Sequence, residues 1–469
     1  MGMPMLRLYQ EQAVDLVLDF AERKPNGRVL VVLPPRGGKT LIAATLVRLM
    51  AYDQQLRALW YAHRGELVDT AIEHLFQVEI PADAIGILMG ARGTEADALV
   101  RANSAAPIQV GSDATIILRD APIAHLVVSD EAHRDASRRR RAIRERYRDA
   151  LHVGITGTPI RGDRADLADD YDEMIVVVQP SELIHDGYLS VPTIFAPPDD
   201  KLPDLKGLRT VRGDFDAGAL EKVMLREPLL ENIVIEWERL AEQRSTLVFP
   251  VGVEHSKALV QRFQAAGVAA EHLDGDTPRA ARGDLLQSFR EGTVRVLSAV
   301  DVLSEGVNLP EAKCVGMVRP TKSLGLFIQQ SLRCATPWRD VRPVILDHAG
   351  NTFRHGFPYE DRSWSLTRRE TKSERKGKSQ PMVKRCPGCG TVVRLAAVSC
   401  PSCDFGFKFE PEFLDMPATS LEAVKFTPEQ VAQERRRLER FAAERGFKAG
   451  WVERVVAAKF NQMAATATS

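Results

Sequence analysis

The sequence predicts an α/β protein: two tandem parallel sheets flanked by helices, then a small metal-stapled ribbon and C-terminal helices. Three observations carry this. Short apolar runs such as 29–33 and 126–128 end in proline, hydroxyl or acidic residues and lead into helix-like segments, as strands of a sheet buried on both faces do. The alternation restarts near Thr246-Leu247-Val248-Phe249 and continues through Leu346, which makes a second lobe and implies a cleft between the two. Beyond both lie two Cys-x-x-Cys pairs, separated by ten residues. The boundaries expected are 1–192 for the first lobe and 193–240 for a linker with a connecting helix. The second lobe takes 241–350, a basic linker 351–385, the ribbon 386–407 and a helical tail 408–469.

Composition sets outer limits. With 469 residues, 44% hydrophobic and 27% charged, the chain is globular and long enough for two or three domains. Lysine plus arginine and aspartate plus glutamate each number 63, so affinity for a polyanion has to come from local basic patches and not from net charge. Arg7, Glu11 and Asp15 interrupt the start, which therefore lacks a secretory apolar region, and no run is long enough to span a bilayer. A cytoplasmic protein is expected, and its six cysteines suit a reducing compartment with a metal better than a disulfide framework.

Two stretches carry the chemistry. Leu126-Val127-Val128-Ser129-Asp130-Glu131-Ala132-His133 reads as a buried strand delivering two adjacent carboxylates at its C-terminal end, where ligands sit in open α/β sheets. Asp130 can hold Mg²⁺ while Glu131 polarises the water that attacks a terminal phosphate. Upstream, Pro34-Pro35-Arg36-Gly37-Gly38-Lys39-Thr40 joins a strand to a helix. Backbone N–H groups at Gly37 and Gly38 can cradle phosphates, Lys39 neutralises their β and γ oxygens, and the Thr40 hydroxyl reaches Mg²⁺. Together these residues predict a nucleotide site with Mg²⁺.

With the tetrad Asp130 to His133 and the phosphate loop in order, the chain resembles superfamily 2 DEAD/DEAH-box helicases, to about Ala349. Its C-terminal half is similar to RadD-type and phage-encoded members. The resemblance implies two RecA-like domains, ATP hydrolysis, and nucleic acid as the track, with DNA preferred because those relatives act in repair and in phages. Leu6 to Val14 is similar to the family's Q-like motif, in which Arg7 and Gln10 would face the nucleotide, the amide of Gln10 reading the adenine edge. His63 and Arg64 fall in a motif that grips one strand through its phosphates. Gly111 to Thr115 lies where a second backbone-contacting motif is expected. His133, Thr156 and Thr158 would couple the phosphate state to movement, Gly157 standing where the family has alanine. In the second lobe Gly306 falls in the motif Leu303 to Pro310, and Gln329 and Arg333 in the last motif, Arg333 as the arginine finger.

Several positions depart from the family pattern. Arg36 replaces the first loop glycine, so a positive φ there would be strained. Asn308 stands where aspartate is usual, and Leu332 and Thr336 occupy the places of a glycine and a second arginine. An arginine finger is worth about 10³ to 10⁵ in rate, so a slow ATPase is one expectation. Two alternatives to strand separation follow: a scaffold that holds ATP and nucleic acid without productive turnover, and a translocase that remodels duplexes or junctions.

Seven arginines between Arg138 and Arg148 could track a nucleic-acid backbone or could form a solvated helix face. The thiols of Cys386, Cys389, Cys400 and Cys403 have the spacing of a structural Zn²⁺ site. The apolar helix after Gly450 offers a docking surface for the body or for a protein partner.

Overall fold

The computed structural model describes residues 5–89, 103, 105–119, 123–135, 137–160, 166–211, 213–303, 307–367 and 382–407. Beyond these it describes nine positions between 432 and 456. The chain divides into two compact units, Met1–Phe407 and Lys408–Ser469.

The first lobe is a seven-stranded, all-parallel sheet. Its strands are β1 (Arg28–Val32), β2 (Ala58–Ala62), β3 (Ile85–Leu88), β4 (Ile108–Ser112), β5 (Leu126–Asp130), β6 (Leu151–Thr156) and β7 (Glu173–Val176). They lie in the order β3-β4-β2-β5-β6-β1-β7. Strands β2, β4, β5 and β6 are buried along their whole length, as expected where helices cover both faces of a parallel sheet. The helix Gly65–Gln77 shows how one face is covered: Leu67, Val68, Ala71, Ile72 and Leu75 recur at helical spacing and are all buried. The order sets β6 between β1 and β5. Register aligns Val32 with Thr156 and Ile155 with Asp130, so the phosphate loop, the threonine motif and the carboxylates emerge side by side.

The second lobe is six-stranded and also all parallel. The segment 193–240, expected as linker and connecting helix, supplies an edge strand, β8 (Thr193–Phe195), then a hairpin of β9 (Thr210–Val211) and β10 (Asp214–Phe215) and two helices. Next come β11 (Thr246–Phe249), β12 (Ala270–Leu273), β13 (Val296–Ala299), β14 (Cys314–Met317) and β15 (Val344–Leu346), in the order β12-β13-β11-β14-β15-β8. The helix Glu227–Leu240 buries Trp237, whose Nε1 donates to Thr246 Oγ1 at 2.7 Å and stacks edge-on against Phe263.

After the helix Asn351–His355 the chain returns to the first lobe as a strap. Asp361 accepts from the backbone N and the hydroxyl of Ser181 at 3.0 and 2.6 Å, and the Gln179 side chain spans both backbone groups of Arg362. Leu167 donates to the Leu366 carbonyl at 2.9 Å, while Trp364 and Leu366 cover the cluster of Leu30, Val32, Leu167 and Tyr171. Of the expected basic linker, 368–381 lies outside the described residues. The ribbon pairs β16 (Val383–Arg385) with β17 (Val392–Arg394) and docks on β8 through a bridge between Phe195 and Thr391. Most of the tail 408–469, including the helix expected after Gly450, lies outside the described residues; among those described, Arg435 pairs with Glu453.

The arginine-rich helix Arg138–Arg146 divides its arginines between two fates. Arg138, Arg139, Arg141 and Arg146 are exposed, whereas Arg140 and Arg144 are buried. Arg140 donates to Asp113 at 3.1 Å, Asp135 at 2.7 Å and the carbonyls of Asp130 and Glu131 at 2.9 and 3.2 Å. Asp135, fully buried, also accepts from Ser129 and Tyr171, and Arg144 pairs with Asp170. Neither a solvated face nor a nucleic-acid track describes these two residues. Truncating one partner of such a network strands the other's charge. Arg140→Ala is therefore expected to cost about 3–5 kcal/mol in a denaturant titration; a loss of less than about 1 kcal/mol would show that Asp135 finds other partners.

Candidate functional site

The cleft between the lobes has a volume of about 510 Å³. Its walls include Arg7, Arg36, Gly38, Lys39, Thr40, Asp130, Glu131 and Tyr188 from the first lobe and Asn308, Gln329, Arg333 and Thr336 from the second. The sequence-predicted residues thus converge from five separate stretches. Gly306 lies outside the described residues.

The phosphate loop turns through left-handed backbone at Gly38, φ +78°, and the helix Lys39–Val47 starts directly after it. A Cβ on Gly38 would sit 2.2 Å from Gln10 Nε2, so glycine is needed there for space as well as for conformation. Gln10 accepts from the Arg7 backbone N at 2.9 Å and donates to the Gly37 carbonyl at 3.2 Å. It is buried beneath the loop and off the cleft wall. The wall at that end is formed by Arg7, stacked 3.8 Å above the Tyr188 ring. Gly187 and Tyr188 read in sequence only as the end of the first lobe.

Lys39 Nζ lies 3.0 Å from Glu131 Oε1, both side chains largely buried. Glu131 has φ +48°, left-handed backbone directly after β5. The Asp130 carboxylate accepts from the Glu131 backbone N at 2.8 Å. His133 Nδ1 lies 3.4 Å from Glu131 Oε2 and 3.1 Å from Thr156 Oγ1. Thr156 in turn bonds the backbone of Thr158 at 3.3 Å in both directions. Thr158 touches the second lobe: a Cβ on Gly325 would stand 3.1 Å from its hydroxyl. A Cβ on Gly157 would stand 3.2 Å from Lys39 Nζ, a tight contact that a small shift of the lysine's end would relieve.

Across the cleft, Arg333 is buried and donates to the Val307 carbonyl. Gln329 is 8% exposed, and its Nε2 has no hydrogen-bond partner among the described residues, the condition of a group awaiting a ligand. Arg36 has φ +74°, the strained conformation that the sequence anticipates, and its guanidinium crosses to the second lobe. Its contacts there were illegible in sequence because the partners lie some 270 to 300 residues away.

Elsewhere, His63 and Arg64 lie between β2 and the helix Gly65–Gln77. Arg282 of the second lobe pairs with Glu66, and burial, with Arg64 adding repulsion, lowers its pKa. The two arginines therefore face each other across the lobes. Asp113 of the expected second backbone-contacting motif is occupied by Arg140.

In the ribbon, the Sγ atoms of Cys386, Cys389, Cys400 and Cys403 all lie within 4.8 Å of one another, with 3.6 Å between Cys386 and Cys403 and between Cys389 and Cys400. Thiolates about 2.3 Å from a tetrahedral metal stand roughly 3.8 Å apart, so the four residues fit a metal of zinc's size.

Residues 3–161 match the family described as type III restriction enzyme, res subunit, and residues 226–336 match the helicase conserved C-terminal domain. A 51.5 kDa protein of Lactococcus phage isolate 7-9 is 27% identical over 388 residues, covering 81% of this chain and 78% of that one. The Saccharomyces cerevisiae protein named "Putative ATP-dependent helicase IRC3" is 26% identical over 345 residues, 70% of this chain but 48% of its own length. The ATP-dependent type ISP restriction-modification enzyme LlaBIII, solved bound to DNA, superposes with a TM-score of 0.54 at 15% identity, over 74% of this chain and 28% of that one. This chain thus spans about half of the yeast relative and less of the restriction enzyme. Its two parallel-sheet lobes, the motifs at their facing edges and these matches together make the chain a member of helicase superfamily 2.

Proposed function

We propose that the chain is an ATP-driven motor on nucleic acid, with DNA as the preferred track, that couples hydrolysis between its lobes to strand movement. The observation that supports this most is the set of side chains lining one cleft: Lys39, Thr40, Asp130 and Glu131 from one lobe face Gln329 and Arg333 from the other. An enzyme that hydrolyses ATP needs the first group, and one that senses hydrolysis needs both.

In the structure Lys39 neutralises Glu131. A triphosphate arriving in the cleft offers Lys39 a stronger partner, and its departure frees the Glu131 carboxylate to take a proton from the attacking water. Asp130 and the Thr40 hydroxyl would hold Mg²⁺, which would offset charge on the phosphates. Arg7 and Tyr188 would take the base, with Gln10 fixing the loop beneath it. Gln329 and Arg333 would reach the terminal phosphate, Arg333 stabilising charge as it develops. His133, Thr156 and Thr158 form the bonded route from Glu131 to the helix Leu324–Ser331, which carries Gln329. His63, Arg64 and Arg282 would hold phosphates of the track across both lobes. The exposed arginines 138, 139 and 141 could add to this grip.

The test is steady-state ATP hydrolysis with single-stranded DNA, duplex DNA and RNA in turn, beside Glu131→Gln. Hydrolysis is expected to rise with DNA and to fall about 10²- to 10⁴-fold in the variant, with nucleotide binding retained. Turnover in the wild type no higher than in the variant on all three polymers would favour the second reading, a scaffold that holds ATP. Thr336 favours that reading, since its buried hydroxyl stands where a second arginine would be and has no partner among the described residues.

The four ribbon thiols are assigned to structural Zn²⁺, which closes a unit too small for a core of its own. Elemental analysis is expected to find one zinc per chain in the wild type and none in Cys400→Ser. Retention of zinc by the variant would contradict the assignment.

A further inference from the structure

Arg36 and Asn308 are both departures from the family pattern, and each looks like a defect when taken alone. In the structure they are partners. Arg36 Nη1 donates to Asn308 Oδ1 at 3.1 Å, and Nη2 donates to the Arg333 backbone carbonyl at 3.1 Å. Arg333 meanwhile donates to the carbonyl of Val307, the neighbour of Asn308. The result is a closed ring in which one guanidinium from the phosphate loop joins two separate segments of the second lobe.

Three features make this more than a surface contact. The planar fork of arginine meets two acceptors at once, which a lysine ammonium on a flexible stem does not match. The backbone of Arg36 holds a conformation that costs a non-glycine residue about 1–2 kcal/mol, so the interaction offsets a standing strain. Burial lowers the guanidinium pKa to about 10, which leaves it charged at neutral pH in a setting where an acceptor matters most. Asparagine at 308 supplies that acceptor without a charge. Position 308 is exposed, so aspartate in its place would add a partly screened charge to the pair and tighten the closure.

We propose that Arg36 is a positioning residue that latches the phosphate loop to the second lobe and sets Arg333 in register with the nucleotide, Asn308 being its uncharged and therefore releasable catch. The latch replaces part of the interlobe fixation lost with the second arginine at Thr336. It rests on the reading of the cleft as an ATPase site.

The test uses the full-length protein and the variants Arg36→Gly, Asn308→Ala and the double variant. Glycine suits φ +74°, so Arg36→Gly removes the guanidinium and the strain together. Each single variant is expected to lower kcat about tenfold with KM for ATP within a few-fold, and the double variant to be no worse than Arg36→Gly. Asn308→Asp should keep the latch and slow its release, lowering kcat with a longer-lived closed state. The distance between labels at the exposed positions Gln77 and Gln261, one in each lobe, should broaden in Arg36→Gly and stay narrow in Asn308→Asp. Single-variant losses that simply add in the double variant would overturn the proposal. So would a wild-type kcat in Arg36→Gly, or an ATP KM raised in proportion to the fall in kcat/KM, which would make Arg36 a nucleotide ligand. If the wild type does not hydrolyse ATP, the ATPase reading fails separately, and an interlobe distance unchanged by Arg36→Gly would then overturn the latch as well.

Discussion

The structure depends on one buried guanidinium. Strand β5 ends at two adjacent acids, and the turn there puts Glu131 at φ +48°, a conformation that costs of order 1–3 kcal/mol. Arg140 donates to the carbonyls of both Asp130 and Glu131 and so braces the turn. Asp135 balances its charge and is held in turn by Ser129 and Tyr171. The network lies behind the cleft and not in it. It braces the turn that carries Glu131, which pairs with Lys39 and lies beside His133.

The second constraint is that the site belongs to neither lobe. Each sheet is complete within its own lobe, yet the cleft walls come from both, and three kinds of connection hold them in place. Side chains cross directly, as Arg36 and Arg282 do. A side chain of one lobe closes on the backbone of the other, as Thr158 does at Gly325. The strap over residues 356–367 ties the exit of the second lobe to the body of the first. Any motion of the lobes relative to each other would have to work against all three.

Much of this was legible in the sequence because parallel strands advertise themselves as apolar runs and their C-terminal ends collect the functional residues. The restart of the pattern at Thr246 marked a second lobe, and the four cysteines marked the ribbon. Legibility failed where a residue's meaning depends on a distant partner. Arg140 and Arg144 sit in a charged run that reads as surface, and nothing local shows that Asp113, Asp135 and Asp170 converge on them. The strand Thr193–Phe195 is three residues long beside proline-rich sequence, too short to be told from a linker until its pairing with β15 is seen. Gln10 lies beneath the phosphate loop, bonded to Arg7 and Gly37, and Tyr188 lines the cleft wall, a neighbour that nothing local in the sequence marks. Arg36 and Asn308 were each noticed as exceptions. That they answer each other required the fold.

The most direct test is a structure determined with ADP, beryllium fluoride and Mg²⁺. The account predicts that Lys39 leaves Glu131 for the β and γ positions, that Asp130 and Thr40 flank the metal, and that Gln329 and Arg333 close on the fluoride from the second lobe. A nucleotide bound while Lys39 remains on Glu131, or one seated away from Gln329 and Arg333, would contradict it.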